Sequence, residues 1–214
     1  MNAKIHIIRH GRTFANEKSL YCGSTDIPLS ESGAKEILDF KSKGVYPKAE
    51  LFITSGMKRT IETLKLIYGD VDFITIKGLR EYDFGDFEMQ GYNELKDRPD
   101  YQEWITDEEG NVRCPGGESK NEFYKRVDQS IQKILKEIFK RDTGSAMVIC
   151  HGGVIAVIMD RLFPNKRNFY EWQPKYGLGY TLEYSNGEFK GYKNIEPTSI
   201  EPTSEETTSK HENI

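Results

Sequence analysis

The sequence predicts a three-layer α/β/α fold, in which a mostly parallel sheet carries helices on both faces and one lid-like insertion. Short apolar segments rich in β-branched residues alternate with longer segments whose apolar residues recur at helical spacing, as in βα units. Four of the short segments are followed by polar residues, at the end of the strand where open α/β sheets bind ligands. A length of 214 residues suits one domain of this kind.

The first part of the chain is predicted to hold three strands and two helices. Residues 4–8, 51–54 and 72–76 are apolar and mostly β-branched or aromatic, which favours strands. Ser30 and Ser55 are candidate caps of the two intervening helices. The apolar faces of these helices consist of Ala34, Ile37, Leu38 and the Lys41 stem, and of Met57, Ile61, Leu64 and Tyr68.

The rest of the chain begins with a long connection. Residues 78–118 are rich in Gly, Asp, Tyr and Pro and too many for a simple loop, so they form either a lid, over about residues 84–118, or a small subdomain. A long helix follows, then a strand at 146–150, a helix at 154–162 and a closing hairpin around residues 185–187. The apolar face of the long helix consists of Phe123, Val127, Ile131, Ile134, Leu135 and Ile138.

The distribution of charge separates the end of the chain from the rest. Five Glu and one Lys follow residue 195 and account for the whole net charge of −4, so residues 1–195 are neutral. A neutral domain offers nothing basic enough for nucleic acid. We therefore expect one domain over residues 1–195 and a disordered acidic tail over 196–214, whose polar composition cannot bury enough surface to fold. A regulatory or partner-binding tail is the alternative.

The sequence lacks the signals of a membrane protein and of a metal site. Its longest apolar runs are far shorter than the roughly 18–20 residues that span a bilayer, and its first residues do not form an apolar signal region. Three scattered cysteines indicate neither a disulfide framework nor zinc binding. We expect a cytoplasmic protein without membrane or nucleic-acid partners, and the sequence makes no prediction of oligomeric state.

Polar groups suited to an anion follow four of the predicted strands. They are Arg9-His10-Gly11, Ser55 with Arg59, Arg80 with Glu81, and His151-Gly152-Gly153. Guanidinium groups donate forked hydrogen bonds, and glycine exposes backbone amides at helix amino termini, so the set predicts a phosphate-binding site. Glu81 is the exception, a carboxylate among cations.

Each of these residues also has a structural explanation. A histidine at a strand end more often holds a hydrogen bond within the fold, and an arginine in a first helical turn is usually solvated. Glu81 could simply neutralise Arg59 or Arg80, and His6 is interpreted as a structural strand residue. Two His-Gly steps that each end an apolar strand favour chemistry instead, because glycine weakens both strands and helices.

These segments resemble the histidine phosphatase superfamily, also called the phosphoglycerate mutase-like family, over about residues 4–193. Arg9-His10-Gly11 with its strand matches the family signature, and Asn16 matches a phosphate-contacting asparagine. Five further segments match family elements, namely residues 23–33, 54–60, 79–88, 115–119 and 148–153. Agreement of six segments in the same order is specific to this family.

The resemblance implies catalysis through a phosphohistidine, in which His10 is the nucleophile and Glu81 the proton donor. The implied ligands of the phosphoryl oxygens are Arg9, Asn16, Arg59, His151 and Gly152. The family mechanism implies neither a metal nor a cofactor, and its partner is a small phosphorylated metabolite. We expect Glu81 to be protonated when dianionic substrate is bound, because the phosphate charge opposes ionisation of the carboxyl group.

Three features depart from the family pattern. Arg12 replaces a usual Glu or Gln, and it either recognises charge on the substrate or faces solvent. Gly56-Met57 replaces Pro-Leu. Cys150 replaces a Ser or Thr and is expected to be a buried small residue rather than a reactive thiol.

The lid resembles that of phosphatases rather than mutases, and of the α-ribazole phosphatase-like branch in particular. The similarity lies in Tyr21-Cys22-Gly23 and in residues 84–89, and the aromatic lid side chains either stack on a benzimidazole base or pack within the lid. The alternatives are a broad-specificity phosphatase and, as a weaker one, a 2,3-bisphosphoglycerate-dependent mutase. The further candidate substrate-binding residues are Thr13, Tyr21, Cys22, Gly23, Tyr92 and Trp104.

Overall fold

The computed structural model describes residues 2–197, where six strands form one mixed sheet flanked by helices. The strands are β1 (Asn2–Arg9), β2 (Leu51–Thr54), β3 (Ile74–Thr75), β4 (Ser145–Cys150), β5 (Gly179–Ser185) and β6 (Glu188–Ile195). Their order in the sheet is β3-β2-β4-β1-β5-β6; the first four run parallel, and β5 pairs antiparallel with both β1 and β6. The predicted α/β fold class, with its closing hairpin, is confirmed.

Seven α-helices connect the strands within residues 2–197. They are α1 (Phe14–Glu17), α2 (Glu31–Ser42), α3 (Lys58–Tyr68), α4 (Tyr92–Leu95), α5 (Pro99–Ile105), α6 (Lys120–Arg141) and α7 (Gly152–Leu162). Ser30 caps α2 as predicted, since its hydroxyl accepts a hydrogen bond from the amide of Gly33 at 3.1 Å. None of the helices described is long and apolar enough to cross a membrane.

Two details of the sequence prediction are wrong. Ser55 does not cap α3, which begins after Met57 with no side-chain cap, because the hydroxyl of Ser55 bonds to His151 instead. The third strand is shorter than residues 72–76, since only Ile74 and Thr75 pair with β2 before the chain turns into a 3-10 helix at Lys77–Leu79.

Two apolar cores, one on each face of the sheet, account for the three layers. On one face, Ile7 and Val148 pack with the apolar residues of α6 and α7. On the other face, Ile8 packs with Ile37 of α2 and Leu64 of α3. Successive residues of a strand point to opposite faces, so the central strands are buried on both sides and read as continuous apolar runs in the sequence.

The parallel register brings the carboxyl ends of β1, β2 and β4 to one edge of the sheet. Arg9 lies opposite Cys150, and Thr54 lies opposite Ile149. Cys150 is fully buried as expected, and burial raises the pKa of its thiol. The polar segments that follow the three strands therefore start side by side, as their positions in the sequence predicted.

The long connection between β3 and α6 holds α4, α5 and a 3-10 helix at Gly85–Phe87 rather than an independent sheet. Its aromatic side chains and Tyr21 pack together with ring centroids 4.9 to 6.0 Å apart. This aromatic cluster consists of Tyr21, Tyr82, Phe84, Phe87, Tyr101 and Trp104. The lid assignment stays a prediction, and the predicted acidic tail lies, from residue 198 onward, outside the described residues.

Candidate active site

His10 follows β1 with a buried ring in a defined tautomer. Its Nδ1 lies 2.6 Å from the carbonyl oxygen of Gly11, and because a carbonyl only accepts hydrogen bonds, Nδ1 carries the proton. Nε2 therefore keeps its lone pair. Burial, reinforced by the positive charges of Arg59 and Arg9, holds the pKa of His10 well below its usual range. The result is a neutral imidazole whose Nε2 can act as a nucleophile.

His151 lies edge-on to His10, with ring centroids 5.0 Å apart. Its Nδ1 accepts a hydrogen bond from Nε of Arg59 at 3.3 Å, so its Nε2 carries the proton and donates to the hydroxyl of Ser55 at 2.9 Å. Burial, then the charge of Arg59, holds the pKa of His151 well below its usual range. Both ring nitrogens of His151 have protein partners. Direct contact with a phosphoryl oxygen therefore requires that the hydrogen bond from Nε2 to Ser55 be replaced by one to that oxygen.

Arg59 is the buried cation of the site, with only 1% of its surface exposed. Besides His151, it donates to the carbonyl oxygen of Gly23 at 2.7 Å and to that of Thr25 at 2.9 Å. Burial lowers the pKa of Arg59, although a guanidinium stays charged at neutral pH. Three of its five N–H groups are used in these bonds, which leaves donors for an anion.

Arg9 supplies a second guanidinium at the same edge. It donates to the carbonyl oxygen of Pro174 at 3.1 Å and lies 3.8 Å from the ring centroid of Tyr176. Its Nε is buried and has no hydrogen-bond partner among the described residues. A buried donor left unpaired costs stability, so this atom marks a place where a ligand oxygen can bind.

The two glycines after His151 let α7 begin against charged side chains. A Cβ on Gly152 would lie 2.8 Å from Cζ of Arg9, and a Cβ on Gly153 would overlap the carboxylate of Glu81. The amide of Gly153 donates to Oε2 of Glu81 at 2.9 Å. Glycine at these positions therefore serves close approach, which explains the His-Gly-Gly pattern in physical terms.

Glu81 is held at the site by its backbone. Arg126 of α6 donates to the carbonyl oxygen of Glu81 at 2.7 Å and to those of Gly78 and Arg80, and it forms an ion pair with Glu118. The carboxylate also accepts a hydrogen bond from the amide of the following residue. Arg126 of α6 thus holds the backbone around Glu81, the predicted proton donor, while the Glu81 carboxylate points to the start of α7.

Asn16 and Thr13 form the capping box of α1. Oδ1 of Asn16 accepts from the amide and the hydroxyl of Thr13, each at 3.0 Å. This leaves the amino group of the Asn16 amide to donate to a ligand. Thr13 itself is fully buried and serves the helix cap.

The structure places the other candidate residues in the packing of the lid region. The hydroxyls of Tyr21 and Tyr101 bond at 2.7 Å, and Trp104 donates to the hydroxyl of Tyr82 at 3.0 Å. By contrast, the Tyr92 ring is largely exposed. Their role toward a substrate stays a prediction.

Cys22, Gly23 and Arg12 complete the set of candidates. Burial raises the pKa of the Cys22 thiol, and Gly23 packs against the backbone of Tyr82. Arg12 is partly exposed, pairs with Glu36 at 3.2 Å and lies 4.8 Å from the ring centroid of Tyr176. It contacts both solvent and the rim of the site, so both interpretations of Arg12 stay open.

Several residues that build the site carried no signal in the sequence. Tyr176 lies between two arginines near His10, yet a lone tyrosine before a strand is unremarkable. Arg126 and Glu88 act through backbone groups that are distant in the sequence. Among residues 2–197, no group of three or more His, Cys, Asp or Glu side chains is arranged to hold a metal ion.

The model of the histidine phosphatase superfamily (branch 1) matches residues 5–193. The chain belongs to this superfamily. The match covers the region in which the sequence resembled the family, including each residue of the site described above. Together with the phosphatases and mutases among its relatives, it makes the chain a phosphatase-type enzyme.

Two relatives and one solved structure illustrate what the chain is similar to. Phosphoglycerate mutase-like protein 4 of Arabidopsis thaliana is 31% identical over 77% of this chain and 73% of its own length. The adenosylcobalamin/alpha-ribazole phosphatase of Salmonella typhimurium is 28% identical over 74% of this chain and 79% of its own length. A putative alpha-ribazole-5′-P phosphatase from Escherichia coli has the same fold, with a TM-score of 0.79 at 22% identity over 90% of this chain and 95% of that one.

Proposed function

We propose that the chain is a metal-independent phosphomonoesterase that acts through a phosphohistidine at His10. The observation that carries this proposal is the hydrogen bond from Nδ1 of His10 to the carbonyl of Gly11, which leaves a neutral Nε2 beside two arginines. The substrate is a small phosphorylated metabolite. Arg9 and Arg59 neutralise the phosphoryl oxygens, so the reaction needs no metal ion.

In the first half-reaction, Nε2 of His10 attacks phosphorus and forms a P–N bond as the P–O bond to the leaving group breaks. Glu81 donates a proton to the departing alkoxide. Its carboxylate lies against Gly153 at the start of α7, next to the residue that packs on Arg9. The acid and the phosphate-binding cation are therefore neighbours.

In the second half-reaction, water attacks the phosphohistidine and gives its proton to the Glu81 carboxylate. The P–N bond breaks, inorganic phosphate leaves, and His10 returns to its neutral form. The bond from Nδ1 to Gly11 persists through both steps and keeps the ring aligned. Glu81 ends the cycle protonated, ready for the next substrate.

Among metabolites, we favour α-ribazole 5′-phosphate, which places the enzyme in cobalamin assembly in the cytoplasm. Support comes from the relatives named adenosylcobalamin/alpha-ribazole phosphatase and from the lid sequence around Tyr21-Cys22-Gly23. The largely exposed ring of Tyr92 is available to stack on a base.

A broad-specificity phosphatase is the second candidate. The observation in its favour is that the polar groups of Tyr21 and Trp104 form hydrogen bonds with residues of the aromatic cluster. Side chains engaged in this way contribute packing rather than recognition.

The test is phosphate release, in EDTA, from α-ribazole 5′-phosphate, p-nitrophenyl phosphate and 3-phosphoglycerate, with His10→Ala as the control. A kcat/KM several orders of magnitude higher for the ribazole substrate supports the first candidate, and similar modest values on all three support the second. Activity that survives in His10→Ala overturns the mechanism. Phosphoryl transfer to 3-phosphoglycerate from 2,3-bisphosphoglycerate, without net release, indicates a mutase.

A further inference from the structure

One carboxylate outside the catalytic set gathers an unusual number of backbone donors. Glu88 accepts hydrogen bonds from the amide of Gly23 at 2.9 and 3.0 Å, from that of Ser24 at 2.9 Å, from that of Thr25 at 3.2 Å and from that of Phe84 at 3.2 Å. Three of these amides belong to consecutive residues, which we call the 23–25 loop. Hydrogen bonds to an ionised acceptor are stronger than neutral ones, so Glu88 holds this loop firmly.

The opposite side of the same loop faces Arg59. The carbonyl oxygens of Gly23 and Thr25 accept from the two terminal nitrogens of its guanidinium at 2.7 and 2.9 Å. The peptide groups thus point their amides at a carboxylate and carbonyls at a cation. Charges at both ends polarise the intervening hydrogen bonds in the same direction, so the loop transmits the position of one charged group to the other.

The loop also touches the segment that carries the proton donor. A Cβ on Gly23 would overlap the carbonyl oxygen of Tyr82, the residue after Glu81. Glu88 lies in the same lid segment and bonds to the amide of Phe84 within it. The 23–25 loop is therefore packed between Arg59 and the chain that places Glu81.

We propose that Glu88 is a positioning residue, which acts through the 23–25 loop to hold the Arg59 guanidinium in the orientation that binds the phosphoryl group. The proposal rests on the proposed function, since it concerns the same site. Glu88 does not touch the reacting atoms. Its loss frees the loop, and the two carbonyls that orient Arg59 shift with it.

The substitution Glu88→Gln keeps the shape of the side chain but turns one acceptor into a donor that faces backbone amides. We expect kcat/KM for p-nitrophenyl phosphate to fall by about tenfold or more, because a small displacement of a phosphate ligand is costly. The dissociation constant of inorganic phosphate, measured by ³¹P NMR titration, rises in parallel. Glu88→Asp keeps the charge on a shorter side chain. Its kcat/KM and its dissociation constant for phosphate should lie between those of the wild type and of Glu88→Gln.

The decisive measurement is a double-mutant cycle with Arg59→Lys. Lysine keeps the charge, but its three donors lack the planar fork with which Arg59 bonds to His151 and two carbonyls and still faces a phosphoryl group. If Glu88 acts through Arg59, the Glu88→Gln change costs less than about threefold in the Arg59→Lys background. An equal cost in both backgrounds overturns the proposal, as does a Glu88→Gln enzyme within twofold of the wild type. If Glu88→Gln does not fold, the cycle is run with Glu88→Asp under the same criteria.

A matched control is Glu50→Gln. Glu50 also accepts several hydrogen bonds, from Thr143, Gly144 and Ser145, but at the amino-terminal ends of β2 and β4, opposite to the site. The activity and the phosphate affinity of the Glu50→Gln variant should stay at the wild-type level.

Failure of the proposed function can be told apart from failure of this proposal. A wild-type protein that binds phosphate but hydrolyses no phosphomonoester refutes the proposed function, while the NMR titrations still decide the role of Glu88.

Discussion

The sheet edge at the carboxyl ends of β1, β2 and β4, together with the proposed catalytic residues that follow these strands, is the catalytic edge of the molecule. This edge and the aromatic cluster both bury polar atoms, but they differ in how these atoms are paired. In the cluster, the hydroxyls and the indole N–H have protein partners: Tyr21 bonds to Tyr101, Trp104 donates to Tyr82, and Tyr82 donates to the carbonyl oxygen of Glu118. At the catalytic edge, Nε of Arg9 is buried without a partner among the described residues, and Nε2 of His10 keeps a free lone pair. Buried polar groups are normally paired, so an unpaired donor next to the proposed nucleophile indicates where a ligand oxygen binds, whereas the paired groups of the aromatic cluster indicate packing.

The largest effect is expected from Glu81→Gln at the catalytic edge. The variant should lose about 10²- to 10⁴-fold in kcat/KM on an alkyl phosphate, because the leaving alkoxide needs a proton. The loss on 2,4-dinitrophenyl phosphate should be much smaller, since its leaving group departs as a stable anion. Glu94→Gln, which alters a lid carboxylate that only caps α4, is the control. Equal losses on the two substrates would remove Glu81 from the role of acid.

Trp104→Ala tests the other side of the comparison. We expect the free energy of unfolding to fall by about 3 kcal/mol, because a large ring in the aromatic cluster and its bond to Tyr82 are lost. The ratio of kcat/KM between α-ribazole 5′-phosphate and phenyl phosphate should not change. Tyr92→Ala, at a largely exposed ring, should leave stability nearly unchanged. A ratio that drops in Trp104→Ala would make the cluster a recognition site.

His6 allows a test of how the fold itself responds to acid. Burial lowers the pKa of His6 to about 4, and the positive charge of Lys4 contributes to the shift as a smaller cause. The unfolded chain binds this proton near pH 6.5, so stability falls as the pH drops from 6.5 toward 4. Between pH 7 and pH 5, the free energy of unfolding in urea should fall by about 2 kcal/mol more in the wild type than in His6→Gln. Parallel pH profiles of the two proteins would contradict this by showing that the pKa of His6 is the same in the native and the unfolded state.

The smallest effect is expected from Arg12→Ala. The ion pair of Arg12 with Glu36 is partly exposed, and such pairs contribute at most about 1 kcal/mol. We expect kcat/KM on p-nitrophenyl phosphate to change less than about threefold by the same reasoning. A much larger loss on a substrate with a second negative charge, absent with p-nitrophenyl phosphate, would instead assign Arg12 to substrate recognition.

The sequence predicts the parts of this enzyme that depend on local pattern. His10 and His151 follow apolar strands and precede glycines, so their position at the edge of the sheet follows from topology alone. Ser55 was misassigned because a serine before a helix suggests a cap, whereas its actual partner is 96 positions away. Arg126 and Glu88 bind backbone atoms, which every residue has, so their contacts cannot be predicted from a pattern of residue types.

The burial of Arg59 also determines how the enzyme responds to its buffer. Salt screens charges that face water over about 10 Å at 0.1 M, but it screens buried charges much less. Only 1% of the Arg59 surface is exposed, so sodium chloride should weaken substrate binding little. By contrast, a small tetrahedral oxyanion such as sulfate should compete with the substrate by binding to the Arg59 guanidinium directly. Assays at equal ionic strength will therefore differ according to which anion the buffer contains.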